Sequence, residues 1–235
     1  MALSGLGGDE LLGGYSSFVQ VPSWHRWLRV GRFVPGLSAV WPRVARWLKP
    51  KTPKLRGLMR YGQTLPGTYL LRRGLFLPEE LPALLGGSLA AAGLGTYDPV
   101  WAGHVILGRG RATLGWEAVQ ALETGLYLRN QLLRDSDWAS MAHSVELRVP
   151  FVDSRLHRAA SESRFALPRQ AGKRGVARRL APTLPASVFE RSKTGFVIPA
   201  VEWMGGPRRV SAGSRDMALR VLQAFGLGLP APAGY

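Results

Sequence analysis

The sequence predicts an α/β fold that is mainly helical, and most of the strand that opens it lies outside these 235 residues. Two observations carry this prediction. The chain begins with a short apolar run that enters a glycine-rich turn, as a buried strand does where it leads into a helix. The rest of the chain repeats apolar residues at helical spacing, interrupted by proline and glycine. We therefore expect one strand end, followed by many helices.

The first element is a corner between a strand and a helix. Met1 to Leu3 have the character of a strand end, and Ser4 to Gly8 form the turn. The sequence DELLGGY follows, in which two glycines permit close backbone packing or a break after a short helical turn.

The segment from Phe18 to Arg60 combines tryptophan and arginine, and its prolines predict short helices. Such a stripe is compatible with a membrane surface, with stacking on bases, or with a core around which arginine side chains extend to solvent. We favour the core interpretation.

Helical pieces are also predicted for residues 61–115, and one long helix for most of residues 116–142. In that helix Glu117, Glu123 and Arg129 fall outside the apolar stripe. The last residues, 205–235, are rich in glycine, proline and alanine, and we expect a partly helical or frayed tail.

Composition excludes some classes of protein. The absence of cysteine excludes disulfides and cysteine-ligated metal sites. The net charge of +16 reflects a bias toward arginine, since only five of the 31 basic residues are lysine, and we do not expect nucleic acid as a partner. There is neither a secretory signal nor an apolar run long enough to span a membrane, so we expect a cytoplasmic protein.

Three motifs contain residues suited to ligand binding or catalysis. In SGLGGDELLGGY, from Ser4 to Tyr15, glycines let backbone N–H groups approach a nucleotide phosphate or ribose. Asp9 can hold a hard cation such as Mg²⁺. The alternative is a tight turn in which Asp9 caps a helix.

The second motif, Leu132 to Asp153, places six charged residues among apolar ones, which predicts paired and partly buried ions. A structural ion network and a substrate site remain equal alternatives, and His143 is expected to be structural. The six are Arg134, Asp135, Asp137, Glu146, Arg148 and Asp153. In the third motif, FERSKTGFVIPAVEWM, Lys193 is a movable ammonium suited to charge that develops on phosphate.

The three motifs in this order resemble the synthetase domain of the asparagine synthetase family. The family pattern has an LSG-x-GGDELFGGY loop, an LLR-x-D-x-x-SMAH-x-x-E-x-RVPF-x-D block, a K-x-x-x-R stretch that reaches LP, and R-x-K-x-GF-x-P. Here these read LSGLGGDELLGGY, LLRDSDWASMAHSVELRVPFVD, an approximate stretch from Lys173 to Leu184-Pro185, and RSKTGFVIP.

The resemblance implies the C-terminal portion of a nucleotide domain of the ATP pyrophosphatase type, related to the adenine-nucleotide alpha hydrolases, with most of its parallel sheet outside these 235 residues. It also implies ATP and Mg²⁺: an aspartate carboxylate attacks the α-phosphate, pyrophosphate leaves, and ammonia from a glutaminase domain displaces AMP. The residues it assigns are Ser4, Gly5, Leu6 and Gly7 for ATP; Asp9 for Mg²⁺ and pyrophosphate; Lys193 and Glu146 for catalysis; and Arg148 and Asp137 for substrate or support.

Two departures limit what the resemblance implies. Leu6 stands where asparagine synthetases carry an acidic residue. The resemblance therefore does not decide whether the acceptor carboxylate belongs to aspartate or to another compound. The family's SGG-x-D-S loop and its glutaminase cysteine are absent from the sequence. We therefore expect residues 1–204 to be a partial synthetase domain, inactive alone, that works as a homodimer or with a complementing N-terminal half. The alternative is a basic module that binds nucleic acid or a membrane surface and retains relic motifs.

Overall fold

A computed structural model describes residues 1–30, 36, 39–41, 43, 54–109, 115–162, 172–190 and 214–227. Lys193 and the predicted boundary between residues 204 and 205 lie outside these ranges.

The described part of the chain is mostly helical with a small parallel sheet, as the sequence predicts. The strands are β1 (Ala2–Leu3) and β2 (Leu147–Arg148). Among the described residues, the helices with defined bounds begin with α1 (Gly8–Leu12), α2 (Ser17–Val30), α3 (Lys54–Tyr61), α4 (Leu65–Arg73), α5 (Leu81–Leu85), α6 (Gly87–Thr96) and α7 (Pro99–Arg109). They continue with α8 (Trp116–Leu122), α9 (Leu133–Met141), α10 (Ser154–Glu162), α11 (Gly172–Leu180), α12 (Ala186–Glu190) and α13 (Ser214–Ala224). Short 3₁₀ turns occupy Pro78–Glu80 and Pro150–Val152.

The two strands pair in parallel, with Ala2 opposite Leu147 and Leu3 opposite Arg148. The Ala2 N–H donates to the Glu146 carbonyl over 2.8 Å, and the Ser4 N–H donates to the Arg148 carbonyl over 2.9 Å. The expected strand end at the start of the chain is therefore present, and its partner comes from the second motif.

The main core lies where α2, α4 and α8 meet. Its buried members include Phe18 and Val21 of α2, Tyr69 of α4, and Val119 and Leu122 of α8. Apolar residues three and four positions apart form one face of each helix, and burial of these faces stabilises the bundle.

The long helix predicted for residues 116–142 is interrupted by a π-helical segment, Glu123–Leu132, between α8 and α9. Each π-helical turn contains more residues than an α-helical turn, so the faces of α8 and α9 do not follow one continuous stripe. In the expected tail, residues 214–224 form α13, whose Arg215 contacts Glu80 and stacks on Phe76 with 4.5 Å between guanidinium carbon and ring centroid. Among the helices described here, none is both long enough and apolar enough to span a bilayer.

Candidate active site

The glycine-rich loop is held at both ends by backbone hydrogen bonds. Its entry is fixed by the bond from Ser4 to β2, and the Ser4 hydroxyl accepts the Leu6 N–H over 3.3 Å. At its exit the Gly8 N–H donates to the Gly5 carbonyl over 3.1 Å, and Gly7 has a φ of 87°. Only glycine adopts that left-handed conformation readily, so the sequence GLGG matches the turn it forms.

One face of the loop packs against the end of the second motif, residues 149–152, called here the VPF segment. A Cβ at Gly7 would lie 2.9 Å from Val152 Cγ2 and 3.1 Å from the Phe151 carbonyl oxygen. Gly8 is closely covered by the Phe151 ring. Gly5 differs, because no atom lies within 4 Å of the corresponding position and the residue is exposed. The loop therefore has one packed side and one side that a ligand can approach.

Asp9 lies inside α1, whose N-cap is Gly7, so the alternative of a helix-capping Asp9 is not observed. Its carboxylate lies directly over Gly14, where a Cβ would be 1.9 Å from Oδ1, and the Gly14 N–H donates to the Asp9 carbonyl over 2.7 Å. The Lys173 ammonium of α11 lies 2.8 Å from the same Oδ1, and both side chains retain solvent exposure. A carboxylate and an ammonium thus share the exposed edge of the loop.

The charged residues of the second motif are placed differently from the prediction of partly buried ions. All six are exposed, which corrects that prediction. Glu146 and Arg148 do form an ion pair of 2.7 Å, but it lies at the surface beside β2. An exposed pair of this kind contributes little to stability.

The other predicted residues of the site do not come together in one place. Leu6 is half-buried in the loop itself, and Asp137 is exposed on α9, where its carbonyl accepts the Ser140 hydroxyl over 3.2 Å. His143 is exposed after the end of α9, so burial does not support the structural role expected for it. Lys193 lies outside the described residues.

A buried polar network, which the motifs do not indicate, lies behind the loop. Glu10, the neighbour of Asp9, is buried, and its Oε1 accepts the Tyr15 hydroxyl over 2.9 Å. Its Oε2 is buried without a hydrogen-bond partner. Desolvation raises the pKa of Glu10 above its ordinary value, and the nearby charges of Asp9 and Glu123 act in the same direction.

Glu123 and Arg73 form the centre of this network. The Arg73 Nε donates to Glu123 Oε1 over 3.0 Å. Its Nη2 lies 2.9 Å from Oε2, although that nitrogen makes no aligned hydrogen bond. The guanidinium carbon of Arg73 lies 4.6 Å from the ring centroid of Tyr15 and 4.2 Å from that of Tyr127. The network therefore joins α1 to α4 and to the π-helical segment.

Two hydroxyl groups complete the set of partners around Glu123. The Ser17 hydroxyl donates to Oε1, and the Tyr69 hydroxyl donates to Oε2 over 3.0 Å. Glu123 is fully buried, although it falls outside the apolar stripe of its predicted helix. Its burial is sustained by these donors from α2 and α4, which lie 106 and 54 positions away in the sequence.

Comparison with known proteins finds relatives that match most of this chain. A Mycobacterium tuberculosis (strain H37Rv) protein described provisionally as a glutamine-hydrolysing asparagine synthetase is 30% identical over 213 residues, covering 87% of this chain and 30% of that protein. Glutamine-hydrolysing asparagine synthetase 1 of Bacillus subtilis (strain 168) is 28% identical over 210 residues, covering 87% of this chain and 31% of that protein. The chain spans less than a third of the length of these relatives.

No solved structure matches the chain significantly. The family comparison, in contrast, covers nearly all of it: residues 1–217 match the family described as asparagine synthase. That range includes the loop, β2, the VPF segment and Lys173. The chain belongs to the asparagine synthase family.

Proposed function

We propose that this chain supplies the exposed loop and its supporting block to an ATP-dependent, amide-forming site of the asparagine synthetase type. In the complete enzyme a carboxylate attacks the α-phosphate of ATP, pyrophosphate leaves, and ammonia then displaces AMP from the acyl-adenylate. The observation that carries the proposal is the parallel pairing of β1 with β2, because it joins the first motif to the second.

The open side of the loop fits a nucleotide. Gly5 is exposed with free space around it, so a phosphate or ribose can reach the backbone there. The Ser4 hydroxyl, which is already oriented by the Leu6 N–H, lies on the same short turn. Gly7 is packed against Val152. We therefore assign ATP contact mainly to Ser4 and Gly5, with Gly7 maintaining the shape of the loop.

Asp9 and Lys173 fit the charged end of the nucleotide. Magnesium is commonly held by one or two carboxylates together with substrate phosphates. No cluster of three or more His, Cys, Asp or Glu residues that could bind a metal occurs among the residues that the structure describes. Asp9 would thus provide one ligand, with phosphate oxygens completing the set, and Lys173 could move from Asp9 to the pyrophosphate.

The acceptor pocket is assigned by position only. We propose that Arg148 at the end of β2, Glu146 just before β2 and Asp137 on α9 border the acceptor carboxylate. We also propose that Lys193 stabilises charge during adenylation. Leu6 can neither accept a proton nor bind a cation, so it does not select aspartate as the acceptor. We therefore propose an acceptor that is aspartate or another carboxylic acid.

The whole enzyme needs more than this chain provides. We propose that it adopts the ATP pyrophosphatase fold, takes ammonia from a glutaminase domain and works in the cytoplasm. The missing sheet and the SGG-x-D-S loop would come from a complementing N-terminal half or a longer protein, with homodimerisation as the further option.

Pyrophosphate release tests the proposal. The chain is supplied with ATP, Mg²⁺, aspartate and ammonium, alone and mixed with a polypeptide that carries the SGG-x-D-S loop. We expect release in the mixture, and replacement of aspartate by other carboxylic acids then identifies the acceptor. Absence of release in both arrangements, with every acceptor, would reject a catalytic role.

A matched pair of variants tests the site within that assay. Asp9→Asn removes the proposed magnesium ligand and should lower release at least about 100-fold, as loss of one strong transition-state electrostatic contact does. Glu190→Gln is the control, because Glu190 also forms an exposed ion pair with α11, through Arg178 at 3.0 Å, without contacting the loop. Equal activities of the two variants would contradict the assignment of Asp9.

A further inference from the structure

The basic charge of the chain is concentrated in one part of it. The segment from Leu11 to Pro78, called here the acid-free segment, contains no aspartate or glutamate and twelve of the 31 lysines and arginines. It therefore contributes +12 of the net charge of +16 from less than a third of the length. Such charge asymmetry along a chain is typical of proteins that meet a polyanionic partner.

Within this segment, α2 has a buried face and an exposed face of different chemistry. Phe18 and Val21 face the core. On the outer side Val19 is 71% exposed and Trp27 is 74% exposed, with the exposed Arg26 between them in the sequence. Residues seven to eight positions apart lie on the same side of a helix, so these three side chains form one surface.

The neighbouring helix α3 extends the same chemistry. Leu28 of α2 and Leu58 of α3 both pack against the buried cluster that contains Tyr61, which places the two helices beside the same part of the core. Leu55 is 40% exposed on α3, and Arg56 beside it is exposed. The two helices thus present cations together with uncovered aliphatic and aromatic side chains.

None of the exposed arginines on this surface pairs with a carboxylate within the part of the chain that the structure describes. They are Arg26, Arg29, Arg56 and Arg60. An arginine without a carboxylate partner keeps its full charge available for an external anion.

We propose that the outer surface of α2 and α3 is a docking surface for an anionic membrane, where arginines meet lipid phosphates and Trp27 enters the boundary between headgroups and acyl chains. Tryptophan with flanking cations is the combination that such boundaries favour. The aliphatic side chains decide between the two classes of polyanion. Val19 and Leu55 gain nothing from a nucleic acid backbone, whereas a lipid boundary takes them out of water.

Vesicle sedimentation tests this proposal without reference to catalysis. The full chain is mixed with vesicles of phosphatidylcholine containing one quarter phosphatidylserine, and with vesicles of phosphatidylcholine alone. We expect partition into the anionic vesicles only, weakening as salt is added. The Arg26→Gln/Arg29→Gln double variant should lower the partition coefficient by about 30-fold, from roughly fivefold per arginine near an anionic surface.

Matched variants separate this surface from general basicity. Trp27→Ala should reduce partition, whereas Trp101→Ala should not, because Trp101 is 65% exposed on α7 outside the acid-free segment. Arg155→Gln/Arg220→Gln is the corresponding control for charge, since both arginines are exposed elsewhere. Thermal unfolding of each variant confirms that it remains folded.

Three results would overturn the proposal. The first is failure to bind anionic vesicles at low salt, and the second is an equal loss of binding in the control variants. The third is displacement from the vesicles by a generic polynucleotide that binds the chain more tightly than lipid does, which would assign the surface to nucleic acid.

Discussion

Replacement of Glu123 by alanine should remove a large share of the stability of this protein. Glu123 is fully buried, and its partner Arg73 is 22% exposed, so the variant leaves a guanidinium largely desolvated between two aromatic rings. Loss of one member of a buried ion pair costs about 3–5 kcal/mol. The remaining exposure of Arg73 favours the lower end of that range, and the two hydroxyl donors left without an acceptor add to the cost.

Urea unfolding followed by circular dichroism measures this effect. With an unfolding slope of about 2–3 kcal/mol per molar, the expected loss lowers the midpoint by roughly 1–2 M. Asp135→Ala, an exposed carboxylate on α9, is the control and should leave the midpoint nearly unchanged. The double variant Arg73→Met/Glu123→Leu should recover much of the loss, because it leaves no unpaired charge.

A loss below about 1 kcal/mol for Glu123→Ala would refute the reasoning. That value is typical of an exposed ion pair, and it would mean that water reaches the network in solution. A double variant no more stable than Glu123→Ala would instead show that the hydroxyl donors, rather than the charge of Arg73, determine the cost.

Three further predictions concern the same region. Burial raises the pKa of Glu10, so the folded state holds the proton of this carboxyl more tightly than the unfolded state does. The stability of the protein therefore falls as pH rises above the unfolded pKa of about 4.3. Glu10→Gln lacks this titration, so its stability relative to the unsubstituted chain should increase between pH 4 and 8 in urea titrations. Gly14→Ala should displace the Asp9 carboxylate and lower stability by about 1–3 kcal/mol in thermal unfolding. Tyr69→Phe should cost about 1.5–3 kcal/mol in urea, because a hydrogen bond to the buried carboxylate of Glu123 is lost.

Each of these predictions has a control or an opposing outcome. For Gly14→Ala the control is Gly93→Ala in α6, because a Cβ added at Gly93 would meet no neighbouring atom within 4 Å and alanine is the better helix former. A relative stability of Glu10→Gln that does not change with pH would show that the pKa of Glu10 is not raised in the folded protein. A Tyr69→Phe variant as stable as the unsubstituted chain would show that the Tyr69 hydroxyl contributes no net free energy.

The positions of the motifs could be predicted from sequence because each carries its own local geometry. GLGG specifies a left-handed turn, and the apolar residues before it specify a strand end, so β1, the turn and α1 were all expected. The pairing of β1 with β2 was not expected, because a strand of two residues is too short to show the alternation of apolar and polar residues that predicts a strand.

The network around Glu123 could not be predicted, for a physical reason. A glutamate outside an apolar stripe resembles a solvated residue, and its burial depends on Arg73, Ser17 and Tyr69, which are distant in sequence. The opposite error occurred at Glu146 and Arg148, where apolar neighbours in sequence predicted burial but the side chains lie at the surface beside β2. Sequence neighbours do not report which side of a short strand meets solvent.

The pairing of Ala2 with Leu147 also has a consequence for how the protein forms. The loop is completed only when Phe151 and Val152 are available to cover it, about 145 residues after its own synthesis. Closing a chain segment of that length carries an entropic cost that local contacts cannot offset early in folding. During synthesis the glycine-rich loop therefore waits for about 145 further residues, and it should be among the last parts of this chain to become ordered.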